Sequence, residues 1–216
     1  MKKKGRYDVS GSIETQFEPG SNDTVLRNKL GMTDSKEMDK LEAESLIKAT
    51  DALIHKYDAD HQFTADDVCQ MHELWLGDIY EWAGKYRTVN ISKDDFSFAM
   101  AAQIPKLMVQ FETDQLAKYT PCNFSDRNVV VKALAEVHTE LVLIHPFREG
   151  NGRCSRILTI IMALQAGLPV LDFSLISGQM KSEYFAAVQM GMVRNYEPME
   201  ALFREIIESS IRTLSE

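Results

Sequence analysis

The chain has 216 residues, of which 44% are hydrophobic and 26% charged, a globular composition with enough length for one domain and its core. The formal net charge of −8 argues against a broad phosphate-binding surface for DNA or RNA, although it allows one local basic pocket for a small ligand. No apolar run approaches the roughly 18 residues of a membrane span, and no apolar stretch follows the basic start as in a secretory signal. We therefore expect a cytoplasmic protein that binds neither nucleic acid nor membrane.

The first part of the chain lacks the periodicity of a core element. Residues 1–33 mix Pro19, Gly20 and several small polar residues, with one short helical turn indicated near residues 12–17. This composition predicts an N-terminal arm, followed by the main domain over residues 34–216.

Two helices are predicted at the start of the main domain. Asp34 and Glu37 have the spacing of a capping box, and apolar residues then recur at helical period to about Tyr57. Thr64, followed by two acidic residues, predicts the N-cap of a second helix, which we expect to end at Gly84.

The remaining pattern is helical except for one segment. Residues 86–98 alternate in polarity around a polar turn, which predicts a short β-hairpin. Helix resumes near Ala102, and residues 126–144 are apolar on nearly every side, as in a central buried helix that delivers His145 at its end. A second apolar helix is predicted from the following glycine pair to Gly167, with two amphipathic helices after it. The fold class is therefore all-α with one hairpin.

The segment between the two buried helices concentrates charged and flexible residues. Gly150 and Gly152 flank Asn151 before a helix, where backbone N–H groups and the helix dipole attract an anion. Arg153 and Arg156 are three residues apart on that helix, so their guanidinium groups reach the same region and suit a polyphosphate.

Two further residues of this segment have the chemistry of a phosphate-transfer site. Glu149 beside an anion site is explained by Mg²⁺, which commonly uses one or two carboxylates and leaves its other positions to water and phosphate. His145, with an ordinary pKa of about 6.5, can accept a proton from a hydroxyl as a general base.

Residues 145–156 match the signature of the Fic family, His-x-Phe-x-Asp/Glu-Gly-Asn-Gly-Arg-x-x-Arg, at every defined position. The segment Gly77 to Gly84, with Tyr86 and Arg87, also resembles the family's sequence before its hairpin flap, and the similarity extends over roughly residues 20–205. This resemblance implies the Fic fold, a helical bundle with a central buried helix pair around the motif loop and one small β-hairpin flap.

The resemblance also implies a reaction, the transfer of AMP from ATP to a Ser, Thr or Tyr hydroxyl of a target protein. His145 would be the base and Glu149 the Mg²⁺ ligand, while Asn151 and the backbone beside it would bind the α-phosphate region. The arginines Arg153 and Arg156 would bind the β- and γ-phosphates. Kinase-like relatives carry Lys in place of Gly152, so the glycine favours AMP transfer.

Other residues acquire candidate roles from the same resemblance. The hairpin would dock the target segment by strand addition, through the residues Ser92, Lys93, Phe96 and Phe98. Tyr184 is a candidate for lining the adenine pocket, with simple packing as the alternative.

Ser10 and Glu14 resemble an inhibitory pattern of the family, Ser/Thr-x-x-x-Glu-Gly/Asn, although Thr15 replaces its last residue. In that hypothesis Glu14 pairs with Arg156 and keeps activity low, and the alternative is a plain surface arm.

Several functions remain open at the level of the sequence. The chain could bind nucleotides as a sensing module without transferase activity, or it could use a nucleotide donor other than ATP. It could also be a regulator that mainly associates with other proteins or with itself, and self-association could take the form of a homo-oligomer or of AMP transfer to its own chain. The intact pair His145 and Glu149 favours the enzyme.

Overall fold

A computed structural model of the chain describes residues 12–93, 96–178 and 180–215. Over these residues the fold is all-α with one small hairpin, as the sequence predicts. The two strands are β1 (Ser92–Lys93) and β2 (Phe96–Ser97). The helices are α1 (Ser35–Lys56), α2 (Ala65–Leu76), α3 (Ile104–Phe111), α4 (Ala117–Tyr119), α5 (Arg127–Ile144), α6 (Asn151–Gln165), α7 (Ser174–Ser177), α8 (Lys181–Met190) and α9 (Glu197–Ser215).

Helices α1 and α2 begin where the capping residues predict. The Asp34 side chain accepts hydrogen bonds from the first-turn backbone of α1. Thr64 and Asp67 form a reciprocal capping box at the start of α2. The caps satisfy N–H groups that a helix start otherwise leaves unpaired.

The predicted end of α2 at Gly84 is wrong, because the helix ends at Leu76. The N–H group of Gly77 makes the last helical bond, to the carbonyl of Glu73, at 2.7 Å. The N–H groups of Ile79 and Tyr80 both bond to the carbonyl of Leu76, which turns the chain. These turns bury Ile79 and Tyr80 beneath α1, so the apolar pattern that suggested a longer helix reflects burial in a loop.

The hairpin is also shorter than predicted. Its strands pair antiparallel, with Ser92 opposite Ser97 and Lys93 opposite Phe96. Residues 86–91 lie outside the ladder, and two of their backbone donors bond to other parts of the chain. The N–H group of Arg87 bonds to the carbonyl of Pro146, and that of Thr88 bonds to a side chain of the N-terminal segment.

The centre of the fold is the pair of helices α5 and α6, which the turn at residues 145–150 joins. Helix α5 packs against α6 and α9, and α2 packs against α1 and α6. Leu134, Val137 and Leu158 are fully buried in this core, and their burial supplies the main driving force for helix packing. The turn between α5 and α6 therefore has rigid elements on both sides.

The described N-terminal residues lie on this bundle. Residues Ile13–Thr15 form a single 3₁₀ turn, in the region where the sequence predicts a short turn. Phe17 and Leu26 form an isolated antiparallel bridge, and Val25 is buried in a second apolar cluster with Trp75. The division into an arm and a main domain stays a prediction.

Among the described helices, none combines the length and apolarity needed to cross a membrane.

Candidate active site

A cavity of about 910 Å³ lies between the α5–α6 turn, the hairpin and α8. This volume is within the range of sites for nucleotide-sized ligands, roughly 300–1,000 Å³. The predicted site residues that line it are His145, Glu149, Gly150, Asn151, Gly152, Arg153, Arg156, Ser92, Lys93, Phe96, Phe98 and Tyr184. Glu14 is not among its lining residues, and Ser10 lies outside the described residues.

His145 is the C-cap residue of α5 and has a left-handed backbone conformation, with φ 53° and ψ 58°. Its Nδ1 atom lies 3.2 Å from the carbonyl oxygen of Val142, so Nδ1 carries the proton and Nε2 keeps a free lone pair. Burial lowers the pKa of His145 to about 4, and the nearby charge of Arg87 acts in the same direction. The imidazole is therefore neutral at physiological pH and able to accept a proton.

The N-terminus of α6 lies beside this imidazole, and its first residues line the same cavity. The first N–H groups of a helix have no carbonyl partner within it, and here they belong to Asn151, Gly152 and Arg153. Gly150 has φ +82°, and a Cβ atom there would lie 2.5 Å from the Trp75 ring. In contrast, a Cβ on Gly152 would meet nothing closer than an Arg156 nitrogen at 4.0 Å. The fold requires the first glycine, whereas the second leaves open space for a ligand.

The predicted role of Asn151 changes in one respect. Its side chain is 2% exposed, and both of its polar atoms bond to the backbone of Phe147, with Oδ1 accepting at 2.8 Å and Nδ2 donating at 2.9 Å. The side chain closes the turn, and these two bonds fix its amide against the backbone of Phe147. A contact of Asn151 with phosphate would therefore come from its backbone N–H group.

The two arginines on α6 are held in different ways. Arg153 donates to the buried carboxylate of Glu42 at 2.8 Å, and its guanidinium lies 4.5 Å from the Trp75 ring centre. Arg156 donates to the carbonyl of Gly152 at 3.1 Å and to the Ser177 hydroxyl at 3.2 Å. These partners leave both guanidinium groups at the wall of the same cavity.

Glu149 is the one acidic residue among the cavity's described lining residues, and its side chain is 51% exposed. Its Oε1 atom accepts from the Gly150 N–H group at 3.0 Å and lies 3.6 Å from Arg153 Nη2. Among the described residues no cluster of three or more metal-binding side chains exists. A single exposed carboxylate beside the N–H groups at the start of α6 fits Mg²⁺, which takes its other ligands from phosphate and water.

Tyr184 of α8 forms part of the opposite wall. Its hydroxyl lies 3.0 Å from His138 Nε2, and the Nδ1 atom of the same imidazole lies 2.9 Å from the Ser155 hydroxyl. Burial raises the pKa of Tyr184 to about 12. The hairpin reaches the same helix, because Lys93 Nζ lies 4.3 Å from the centre of the Phe185 ring. The cavity is thus enclosed from two sides.

The predicted pairing of Glu14 with Arg156 is wrong. Glu14 is 4% exposed, and its Oε1 atom accepts from the Thr88 N–H group at 2.9 Å and from the Thr88 hydroxyl. Arg148 Nε donates to the Glu14 carbonyl at 2.7 Å. The segment that carries Glu14 lies against the base of the hairpin, which keeps its carboxylate away from the partners of Arg156.

Sequence reasoning missed three residues that hold the site together. Arg87 donates to the carbonyl of His145 at 2.7 Å, Glu42 binds Arg153, and His72 joins two loops. His72 Nδ1 accepts from the Gly84 N–H group at 2.9 Å, and Nε2 lies 3.0 Å from the Glu149 carbonyl. Each is a polar residue that the fold buries, and its surroundings in the sequence do not indicate that burial.

The fold and the cavity define a helical protein whose α5–α6 turn lines a cavity together with His145 and two arginines of α6. The model of the family described as Fic/DOC matches residues 62–163. Residues 62–163 therefore form a domain of the Fic/DOC family, in agreement with the motif at residues 145–156 and with the similar structures.

Three relatives illustrate the similarity. Protein adenylyltransferase VbhT of Bartonella schoenbuchensis is 34% identical over 167 residues, 75% of this chain but 33% of its own length. The probable protein adenylyltransferase Fic of Salmonella typhimurium is 29% identical over 202 residues, 90% of this chain and 92% of its own. The crystal structure of BepC from Bartonella tribocorum with bound AMPPNP is 26% identical, with a TM-score of 0.70 over 89% of this chain and 96% of that one. The chain therefore spans about a third of VbhT.

Proposed function

We propose that this protein transfers AMP from ATP to the hydroxyl group of a Ser, Thr or Tyr side chain in a target protein, in the cytoplasm. The observation that carries the proposal is the neutral imidazole of His145, whose free Nε2 shares one cavity with the α6 anion site and two arginines. Relatives of this chain are named protein adenylyltransferases, and a similar structure contains AMPPNP, which supports ATP as the donor.

In the proposed reaction, His145 Nε2 takes the proton from the target hydroxyl. The hydroxyl oxygen forms a bond to the α-phosphorus of ATP, and the bond between that phosphorus and the bridging oxygen breaks. Pyrophosphate leaves with the electron pair, and AMP remains on the target. The protein contributes mainly position and charge, as in phosphoryl transfer generally.

The phosphates would lie along the wall formed by α6. The α-phosphate would accept from the free N–H groups at the helix start, where the absent side chain of Gly152 allows close approach. Arg153 and Arg156 would bind the β- and γ-phosphates, since a guanidinium pairs with phosphate oxygens through two hydrogen bonds.

Glu149 would hold the Mg²⁺ ion through its exposed carboxylate. When bound, the ion would neutralise part of the phosphate charge. Without that neutralisation, the carboxylate of Glu149 would repel the nucleotide, so the proposal requires the metal.

The hairpin would position the target. A two-stranded sheet has free backbone groups along its edges, which can pair with an extended segment of another protein. Lys93 and Phe98 face the cavity beside His145, so a segment bound there would bring its hydroxyl to the base. Tyr184 would contact the adenine, and the target could be a second copy of this chain.

Labelled ATP tests this proposal. The protein is incubated with cell lysate, MgCl₂ and ATP labelled at either the α- or the γ-phosphate, and labelled proteins are separated on a gel. We expect label from the α-phosphate alone, and none when EDTA removes the metal. Label from the γ-phosphate would indicate a kinase. No label with any nucleotide, together with ATP binding by calorimetry, would favour a nucleotide-sensing module.

A further inference from the structure

The guanidinium of Arg87 connects the α5–α6 turn with the segments on either side of the hairpin. It is 2% exposed and donates to three backbone carbonyls, those of His145 at 2.7 Å, Val89 at 2.5 Å and Ala99 at 2.6 Å. Its own N–H group donates to the carbonyl of Pro146 at 2.8 Å. The Arg87 side chain thus links the backbone of His145 to Val89 and Ala99, which lie before and after the hairpin.

This arrangement places a positive charge in the protein interior. The three acceptors of its guanidinium are neutral carbonyls, and a buried charge is costly without an opposite charge nearby. Burial accordingly lowers the pKa of Arg87, and the acidic group that counteracts this effect is Glu14.

Glu14 is attached to the same two elements by hydrogen bonds. Its carboxylate accepts from Thr88, the residue after Arg87, and its carbonyl accepts from Arg148 in the turn after His145. Ser12 donates to the same carboxylate oxygen at 3.2 Å. With 4% of its surface exposed, this acid is a buried part of the site's support.

We infer that Glu14 is a positioning residue that supports catalysis: it provides the opposite charge for Arg87 and fastens residues 12–15 across the hairpin base and the catalytic turn. The effect of Glu14 on activity is opposite to that of an inhibitory glutamate, because removal of Glu14 lowers activity. The inference rests on the proposed AMP transfer for its effect on rate, but its structural content is independent of that function.

Two variants separate charge from contact. Glu14→Gln keeps an oxygen acceptor for Thr88 but loses the charge, and Glu14→Ala loses both. Glu44→Gln, at an exposed carboxylate of α1 that is 3.9 Å from Lys40, is the matched control. We expect both Glu14 variants to lower kcat about ten-fold or more with the KM for ATP nearly unchanged, because the base and the flap lose their relative position.

Amide hydrogen exchange provides a readout that does not depend on any transfer activity. In Glu14→Ala, exchange should quicken at Thr88 and also at Arg87 and Phe98, whose N–H groups bond to Pro146 and Ile91. The control variant should match the unmodified protein. Faster exchange at Thr88 alone would overturn the inference, as would raised or unchanged turnover in the Glu14 variants. If the protein shows no transfer at all, the proposed function fails, and the exchange pattern still decides this inference.

Discussion

The ring of Phe98 lies against the imidazole of His145, with ring centroids 3.6 Å apart and planes inclined by 20°. A hairpin residue therefore covers one face of the proposed base and contributes to the burial that keeps it neutral. The flap that would dock the target and the group that would activate its hydroxyl are in direct contact.

Replacing Phe98 with Ala should raise the pKa of His145 from about 4 toward its ordinary value of 6.5, because water then reaches the imidazole. NMR titration of the His145 ring measures this directly. Phe96→Ala is the control, since Phe96 packs edge-on against Phe98 and has no ring contact with His145. An unchanged pKa in the Phe98 variant would show that the stacked ring does not control the base.

The two glycines of the motif should respond differently to Ala. Gly150→Ala should destabilise the fold by roughly 2–4 kcal/mol, since it combines a positive φ with a Cβ too close to Trp75. Gly152→Ala should leave the melting temperature nearly unchanged but weaken ATP binding, because its Cβ occupies open space. Thermal unfolding and calorimetry separate the effects. Equal loss of stability in both variants would contradict this account.

Glu42 should contribute to binding of the polyphosphate part of ATP and not to binding of its nucleoside. Its carboxylate bonds to Arg153 and to the Tyr80 hydroxyl, at 2.8 and 2.7 Å. Glu42→Gln should cost roughly 1–3 kcal/mol of folding free energy, since a partly buried charge pair is lost. It should also weaken binding of ATP more than of AMP, because Arg153 loses its position. The control Tyr80→Phe removes only the second bond, and equal weakening for both nucleotides in Glu42→Gln would refute the assignment.

Folding stability should fall on acidification from about pH 6.5 to pH 4. Burial lowers the pKa of His72 and His145 to about 4, and that of His138 to about 3. In this window the unfolded chain binds protons that the folded chain excludes, so lower pH favours unfolding. Urea unfolding at a series of pH values measures the slope, and His138→Asn should reduce it. A flat profile above pH 4 would mean that these histidines are protonated in the folded state.

The sequence is most informative where the site is local. Residues 145–156 span the α5–α6 turn and the start of α6, so His145, Glu149 and the two arginines could be recognised as one group from the sequence motif. Their supporting residues could not be identified in this way. Glu42 lies 111 positions from Arg153, and Glu14 lies 74 from Thr88, so only the folded chain brings them together.

The errors in the fold have the same physical origin. The apolar residues after Leu76 continue a helical pattern, yet they are buried by turns that pack under α1. The segment around Arg87 has strand-like alternation, yet its backbone donors bond to the α5–α6 turn and to Glu14. In both cases tertiary contacts override a local pattern.

The most direct test of the central claim is the rate of AMP transfer by the variant His145→Ala. Mass spectrometry of the target measures the transferred AMP, and ATP affinity is measured in parallel. The unmodified protein should place AMP on a hydroxyl side chain. The variant should bind ATP as before but transfer AMP about 10²–10⁴-fold more slowly, the usual contribution of a positioned general base. Transfer at the unmodified rate by the variant would contradict the proposed mechanism.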